Sequence, residues 1–261
     1  MPATGRHFAL APGAGGREDD RFMSATTAIR EAPWHAGLRG ARANLVPGVA
    51  LQLVALALVL AYYFHPPTRA VFEQIMAFRA RTGFGFGIVS TGLFGGLLPY
   101  LYLRSNPASR SQYGWRQAVL LSVFWGYKGL EIEIWYRVLA HVVGTGHDVL
   151  TIVTKSFLDQ LVYCPVYAVP LTVLAYKWNA LNFDLRGVWA DFRAPGWYAR
   201  SVLPTLIANI GVWIPAVAII YALPTPLQLP LQNLVLFFFT LLLAHLNRRQ
   251  AARGRPASAQ E

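Results

Sequence analysis

The segment KSFLDQLVYCPVYAVPLTVLAY, residues 155–176, is an apolar run of helical length with two charged residues near its start. Lys155 and Asp159 stand one helical turn apart in this segment. A charged side chain at the centre of a membrane helix costs about 2.5–3.5 kcal/mol on insertion scales. A sequence that keeps two such charges therefore has a reason, either in function or in folding.

The rest of the chain has the composition of a membrane protein. Its 261 residues are 55% hydrophobic and only 13% charged, whereas a soluble domain carries about 25% charged residues. The net charge of +11 comes from arginines between apolar runs rather than along one soluble face. These arginines indicate membrane topology, so the expected partner is the lipid bilayer and not nucleic acid.

Six apolar segments are long enough to cross a bilayer, which takes about 20 residues each. They cover residues 45–64, 83–103, part of 117–143, 154–176, 203–223 and 229–246. Between the first two, residues 68–81 interleave apolar and charged side chains at helical spacing, which predicts an interfacial amphipathic helix. The predicted fold class is an all-α, polytopic integral membrane helical bundle with about six transmembrane helices.

The chain divides into four predicted regions. Residues 1–42 form a disordered polar tail, residues 43–66 an additional transmembrane helix, residues 67–247 the amphipathic helix with five spans, and residues 248–261 a basic cytoplasmic tail. With six spans, the basic loops and both termini share one side, which is the cytoplasm by the positive-inside rule. A five-span arrangement would split the basic loops between the two sides.

The predicted third span carries four charged residues that form two pairs. Members of each pair are three or four residues apart and therefore meet on the helix surface. From the helical rise, Glu133 lies about 10 Å and Asp159 about 8 Å below the outer edge of the membrane. Spans three and four should then share a water-accessible polar cluster. Its predicted members are Lys128, Glu131, Glu133, Arg137, Lys155, Asp159 and Gln160.

Three uses of this cluster remain open. It could line a path for a solute, or its ion pairs could simply hold the bundle together, or it could act in catalysis. Prolines in neighbouring spans free backbone carbonyls, which are tolerated beside a water-filled cavity. The predicted helix kinks are at Pro165, Pro170 and Pro215, and plain bending for packing is the alternative.

Small residues recur every four positions in the second span. Such a face lets another helix approach closely, and it could also join two copies of the chain in a homo-oligomer. The predicted packing residues are Gly83, Gly87, Thr91 and Gly95.

Motifs for other chemistry are missing from the sequence. It has no nucleophile elbow, phosphate loop or metal-binding spacing, and Cys164 is its only cysteine. We therefore expect no enzyme activity, no catalytic residues, no metal site and no cofactor.

The string Lys155-x-x-x-Asp159-Gln160-x-x-x-x-Pro165 resembles a signature of the Mpv-seventeen family, also called the twenty-two-kilodalton peroxisomal membrane protein family. The likeness covers about residues 69–245, with Leu130 and Glu133 in place of the proline and histidine of the family. Looser likenesses in the same order are Gly129 with Trp135-Tyr136, Trp189, Asn209 with Trp213, and Leu223-Pro224.

The resemblance implies a small, multi-span protein of the kind thought to form channels for small solutes or to support membrane homeostasis. Lys155 and Asp159 would form a charged gate, and the solute or ion is not specified. The alternative is a scaffolding protein that associates through the small-residue face without transport. We expect a bacterial inner membrane, because arginine outnumbers lysine 20 to 3 as in GC-rich genomes. A mitochondrial inner or peroxisomal membrane is the alternative.

Overall fold

The computed structural model describes residues 32–253, apart from positions 106, 108–109 and 111–113, and describes side chains as far as Leu241. Within these residues the regular structure is helical, with no strand, which confirms the all-α class. The helices are α1 (Pro33–Phe64), α2 (Pro66–Thr82), α3 (Phe84–Arg104), α4 (Trp115–Val142), α5 (Val149–Ala180), α6 (Leu185–Arg193), α7 (Tyr198–Tyr221) and α8 (Thr225–Arg253).

Four of these helices, α1, α3, α5 and α7, are long and apolar enough to cross a membrane. They correspond to the first, second, fourth and fifth predicted spans. The third predicted span, α4, has the length but carries several charges, and the side chains of α8 are described only in its first part. The chain thus has the character of a helical membrane protein.

The N-terminal boundary of α1 differs from the prediction. Residues 33–42 belong to this helix and not to a disordered tail, whereas residues 1–31 lie outside the described part. Glycines explain the difference, because a Cβ atom added at Gly37 would lie 2.7 Å from the Cβ of Ile207, and one at Gly40 would lie 2.8 Å from that of Ala208. Close packing against α7 therefore orders a stretch whose composition alone indicated disorder. The predicted C-terminal tail likewise begins as helix, up to Arg253, and ends outside the described residues.

Helices α1 and α7 run parallel and make the most extensive helix–helix contact of the described structure. Polar side chains of α1 reach backbone carbonyls of α7 along its length. Gln52 donates to the carbonyl of Val212 at 3.1 Å, and the Tyr63 hydroxyl donates to that of Ala222 at 2.7 Å. The main apolar core includes residues of this pair and of α4 and α8, among them Leu139, Ile220 and Val235.

Helices α3 and α4 pack in antiparallel orientation through small residues. A Cβ atom at Gly95 would lie 2.7 Å from the Trp125 ring, and Thr91 is fully buried and donates to Asn233 of α8 at 2.8 Å. Gly87 and Gly95 also face α4, so this part of the predicted small-residue face is covered within the chain. A homo-oligomer that used Gly87, Thr91 and Gly95 would have to displace the contacts of these residues with α4 and α8.

Gly83 is wrongly placed in that face by the sequence pattern. It terminates α2 with a φ of 56°, and no atom lies within 4 Å of a Cβ added there. The left-handed backbone is where glycine has its usual advantage. Its role is to end one helix before the next begins.

Helix α5 is the least embedded of the long helices. It begins after Asp148, whose carboxylate accepts from the Thr151 amide at 3.0 Å and from the Thr151 hydroxyl at 2.7 Å. These hydrogen bonds hold the pKa of Asp148 below its usual range. Residues Leu158–Ala168 adopt π-helical winding around Pro165. Only four residues of α5 are buried, namely Lys155, Ser156, Asp159 and Ala168.

Candidate functional site

A cavity with a volume of about 350 Å³ lies between α5 and the helices α4, α7 and α8. Its wall follows α4 from Trp125 to Tyr136 and α7 from Leu203 to Val217, which at 1.5 Å per residue are lengths of about 16 Å and 21 Å. The cavity is thus a slot elongated along the helices. Apolar side chains form most of its surface. The polar residues of the wall include Lys128, Asp159, Gln160, Cys164, Asn209 and Gln232.

Asp159 contributes a carboxylate to this wall and is only 5% exposed. Its Oδ2 atom accepts a hydrogen bond from the Tyr221 hydroxyl of α7 at 2.9 Å. The sulfur of Cys164, about one turn further along α5, lies 3.9 Å from its Oδ1 atom. The carboxylate is therefore held by neutral donors rather than by a cation.

Lys155 does not form the predicted ion pair with Asp159. Its ammonium lies 5.9 Å from the centre of the Tyr221 ring, and the residue is 2% exposed. The hydroxyl of the same tyrosine instead donates to Asp159. The two charged residues thus meet the same tyrosine, one at its ring and the other at its hydroxyl, and Lys155 is not part of the cavity wall.

Lys128 and Glu131 form the ion pair that their spacing predicted, with both side chains buried. Glu131 also accepts a hydrogen bond from the Tyr163 hydroxyl of α5. The Tyr163 ring in turn stacks on Trp135 with centroids 4.7 Å apart. These contacts bring Lys128 and Glu131 of α4 against Tyr163 of α5.

Gln160 lines the cavity, and its side-chain amide donates to the Cys164 sulfur at 3.6 Å. Pro165 lies in the cavity wall within the π-helical segment, and its carbonyl accepts from the Tyr198 hydroxyl at 3.0 Å. Pro170 follows the π-helical segment, and Pro215 lies inside α7, outside the cavity wall. Of the three predicted kink residues, only Pro165 borders the cavity.

Glu133 and Arg137 were predicted to belong to the polar cluster, but they do not line the cavity. They form the expected pair at 2.6 Å, but Glu133 is fully buried on another face of α4, and Arg137 is half-exposed. The spacing between Glu131 and Glu133 explains this, because residues two positions apart point to different sides of a helix. Only Glu131 therefore faces α5.

A second partner of Glu133 is Arg79 of α2, a helix that the sequence pattern assigned to the membrane interface. The Arg79 guanidinium lies 3.0 Å from the Glu133 carboxylate and is 6% exposed as a residue. It also donates to the backbone carbonyls of Thr225 and Pro226, at the start of α8. The amphipathic helix α2 is thereby tied to α4 and α8 by a buried ion pair.

Three further residues of the site were not indicated by the sequence. Tyr221 binds Asp159, and Tyr136 donates to Gln232 at 2.5 Å beside the cavity. Tyrosines are common in membrane spans, so their presence does not mark a site. A single glutamine in a predicted apolar helix is also weak evidence for a polar site. The one usable signal was the polar Gln232-Asn233 pair within the last apolar run.

Comparisons with known protein families, with curated proteins and with solved structures gave no match to this chain.

Proposed function

We propose that this protein is a channel-like membrane protein that gives small solutes or ions a path along the cavity beside α5. The single observation that carries the proposal is the cavity itself, because it brings Asp159 and Lys128 from adjacent helices to one elongated space of about 350 Å³. Cavities of this size hold small molecules, and ionisable groups inside membrane helices commonly mark solute paths.

The proposal includes about six spans, with α4 and α8 as the two additional ones. Helix α4 has 28 residues, or about 42 Å, which is longer than a bilayer core of about 30 Å. Lys128 and Glu133 are buried and Glu131 is half-buried, whereas Val119, Val123 and Ile134 are exposed, together with Arg137 nearer the end of the helix. An apolar outer face with inward charges suits a helix in contact with lipid.

The parallel arrangement of α1 and α7 supports the same topology. In a six-span chain, the first and fifth spans both run outward, so these two helices point in the same direction. The basic residues then lie on the cytoplasmic side with both termini. We place the protein in a bacterial inner membrane, with a mitochondrial inner or peroxisomal membrane as the alternative.

We further propose kinship with the Mpv-seventeen family, which rests on the Lys155–Pro165 string. Asp159, Gln160 and Pro165 of that string line the cavity, which supports a role of the string in a solute path. Lys155 would act through Tyr221 and not as a direct partner of Asp159.

Solute flux from liposomes tests the proposal. The purified chain would be reconstituted with a set of small neutral and charged solutes, and release would be compared between wild type and Asp159→Asn. We expect release from wild-type liposomes and a changed rate for the variant, since the carboxylate lies in the wall of the path. Asp148→Asn is the matched control, because it makes the same chemical change outside the cavity, and asparagine also caps helices.

Equal flux in wild type and Asp159→Asn, or no flux from either, would contradict the transport proposal. A change of the same size in the Asp148→Asn control would assign the effect to folding instead. Circular dichroism and size-exclusion chromatography of the three proteins establish that each is folded before flux is compared.

A further inference from the structure

The cavity wall contains two charged side chains, and they differ in how they are neutralised. Lys128 is paired with Glu131 of its own helix and also lies 5.6 Å from the centre of the Tyr163 ring. Asp159 forms no ion pair with any described basic side chain. Of the two charged side chains in the cavity wall, Lys128 thus has an oppositely charged partner, and Asp159 has none within ion-pair distance among the described residues.

The two oxygens of Asp159 are occupied unequally. Oδ2 accepts the hydrogen bond from Tyr221 at 2.9 Å, whereas Oδ1 has a thiol at 3.9 Å, which is a weak donor. The indole N–H of Trp135, which has no partner at hydrogen-bond distance within the described part of the chain, also approaches the carboxylate. A buried carboxylate is stabilised most by a charged donor. Oδ1 thus has capacity for an ammonium group that enters the cavity.

Aromatic rings surround the same space. Five of them belong to the cavity wall, and three lie on α4, within a few turns of Lys128. The faces of aromatic rings attract cations, and cages of such rings recognise organic ammonium groups. The rings are those of Trp125, Trp135, Tyr136, Tyr163 and Trp213.

The size and apolar surface of the cavity select among cations. A small inorganic ion would need water or oxygen ligands on all sides, and most of this wall is apolar. An organic cation brings its own apolar body, which gains free energy on leaving water. The volume of about 350 Å³ lies at the lower end of small-molecule sites.

We propose that the cavity binds an organic monocation, with its ammonium group on Asp159 and its apolar body against the aromatic wall. This inference deepens the proposed function, since it names the class of solute for the same cavity. The charge of Lys128 is balanced by Glu131 of the same helix, so this pair adds no net positive charge to the wall.

Binding to the full chain in nanodiscs of zwitterionic lipid tests the inference. The probes are 2-phenylethylammonium, the neutral 2-phenylethanol and the anionic phenylacetate, which share one ring and a short chain. Isothermal titration calorimetry, with empty nanodiscs as the blank, gives each affinity. We expect the ammonium compound to bind at least tenfold more tightly than the alcohol, a difference of about 1.4 kcal/mol, and phenylacetate to bind most weakly.

Substitutions then assign the preference to one side chain. Asp159→Asn should reduce the ratio between ammonium and alcohol to about one, whereas the control Asp148→Asn should retain it. Asp159→Glu keeps the charge and should retain a preference, which guards against a folding defect in the first variant. Wild-type protein that binds the alcohol or phenylacetate as well as the ammonium compound, or that binds none of them, overturns the inference.

The outcomes separate this inference from the proposed function. Flux without any preference for the ammonium probe contradicts the cation site and leaves the solute path intact. Tight, Asp159-dependent binding without flux contradicts the path and leaves a binding site.

Discussion

Replacing Glu133 by alanine would leave the Arg79 guanidinium inside the bundle without the carboxylate that it pairs with at 3.0 Å. Both side chains are almost fully buried, with relative exposures of 7% and 0%. Removing one partner of a buried ion pair costs about 3–5 kcal/mol, because the remaining charge is stranded. Arg79 keeps two backbone acceptors on α8, so we expect the lower end, about 3 kcal/mol.

Reversible unfolding in mixed detergent micelles, followed by tryptophan fluorescence, measures this free energy. The control is Glu73→Ala, which removes the exposed pair between Arg69 and Glu73, whose side chains are 58% and 54% exposed. An exposed pair of this kind contributes about 0.3–0.5 kcal/mol. The two variants therefore delete the same type of side chain from a buried and an exposed pair.

A loss below about 1 kcal/mol for Glu133→Ala, or one equal to that of the control, would refute the reasoning, since buried pairs should cost several-fold more. The double variant Arg79→Met with Glu133→Leu separates charge from packing. If the stranded guanidinium causes the loss, the double variant should be more stable than Glu133→Ala alone. If it is not, lost packing is the cause.

Three other outcomes follow from the structure. Gly129→Ala should destabilise the protein by about 1–3 kcal/mol in the same unfolding assay, because its Cβ would overlap the backbone of α3, whereas Gly85→Ala should be nearly neutral because its Cβ meets no atom within 4 Å. Small uncharged thiol reagents should modify Cys164 in the cavity wall faster than bulky maleimides, and equal rates in mass spectrometry would contradict its enclosure. The lowered pKa of Asp148 should contribute stability that is present above the unfolded pKa of about 3.9 and is lost as the pH falls through the lower folded value. Asp148→Asn should abolish that acid-dependent loss in unfolding midpoints measured between about pH 5 and pH 2.

The helices were predictable from the sequence because each long apolar run must satisfy its own backbone in a membrane. The ion pairs at Lys128–Glu131 and Glu133–Arg137 were predictable for a similar reason, since both partners lie on one helix. Local spacing is enough to decide such contacts.

Contacts between distant helices were not predictable in this way. Lys155 and Asp159 satisfy the same spacing rule, yet both contact Tyr221 of another helix and form no ion pair with each other. Arg79 looked like one more charge on an interfacial helix, although it is buried against Glu133. In both cases the deciding partner lies more than 50 positions away in the chain, where helix periodicity carries no information.

The pairing of α1 with α7 also has a consequence for how the protein is made. Gln52 and Asn44 of the first helix find their acceptors about 160 positions later, on Val212 and Ala208. A ribosome adds roughly 5–20 residues per second, so this helix waits about ten seconds or more in the membrane with its amides unsatisfied. Insertion machinery that shelters a nascent first helix would shorten the exposure of these amides to lipid. Without α7, the amides of α1 would keep no acceptor, and α1 should be the segment that quality-control proteases degrade most readily.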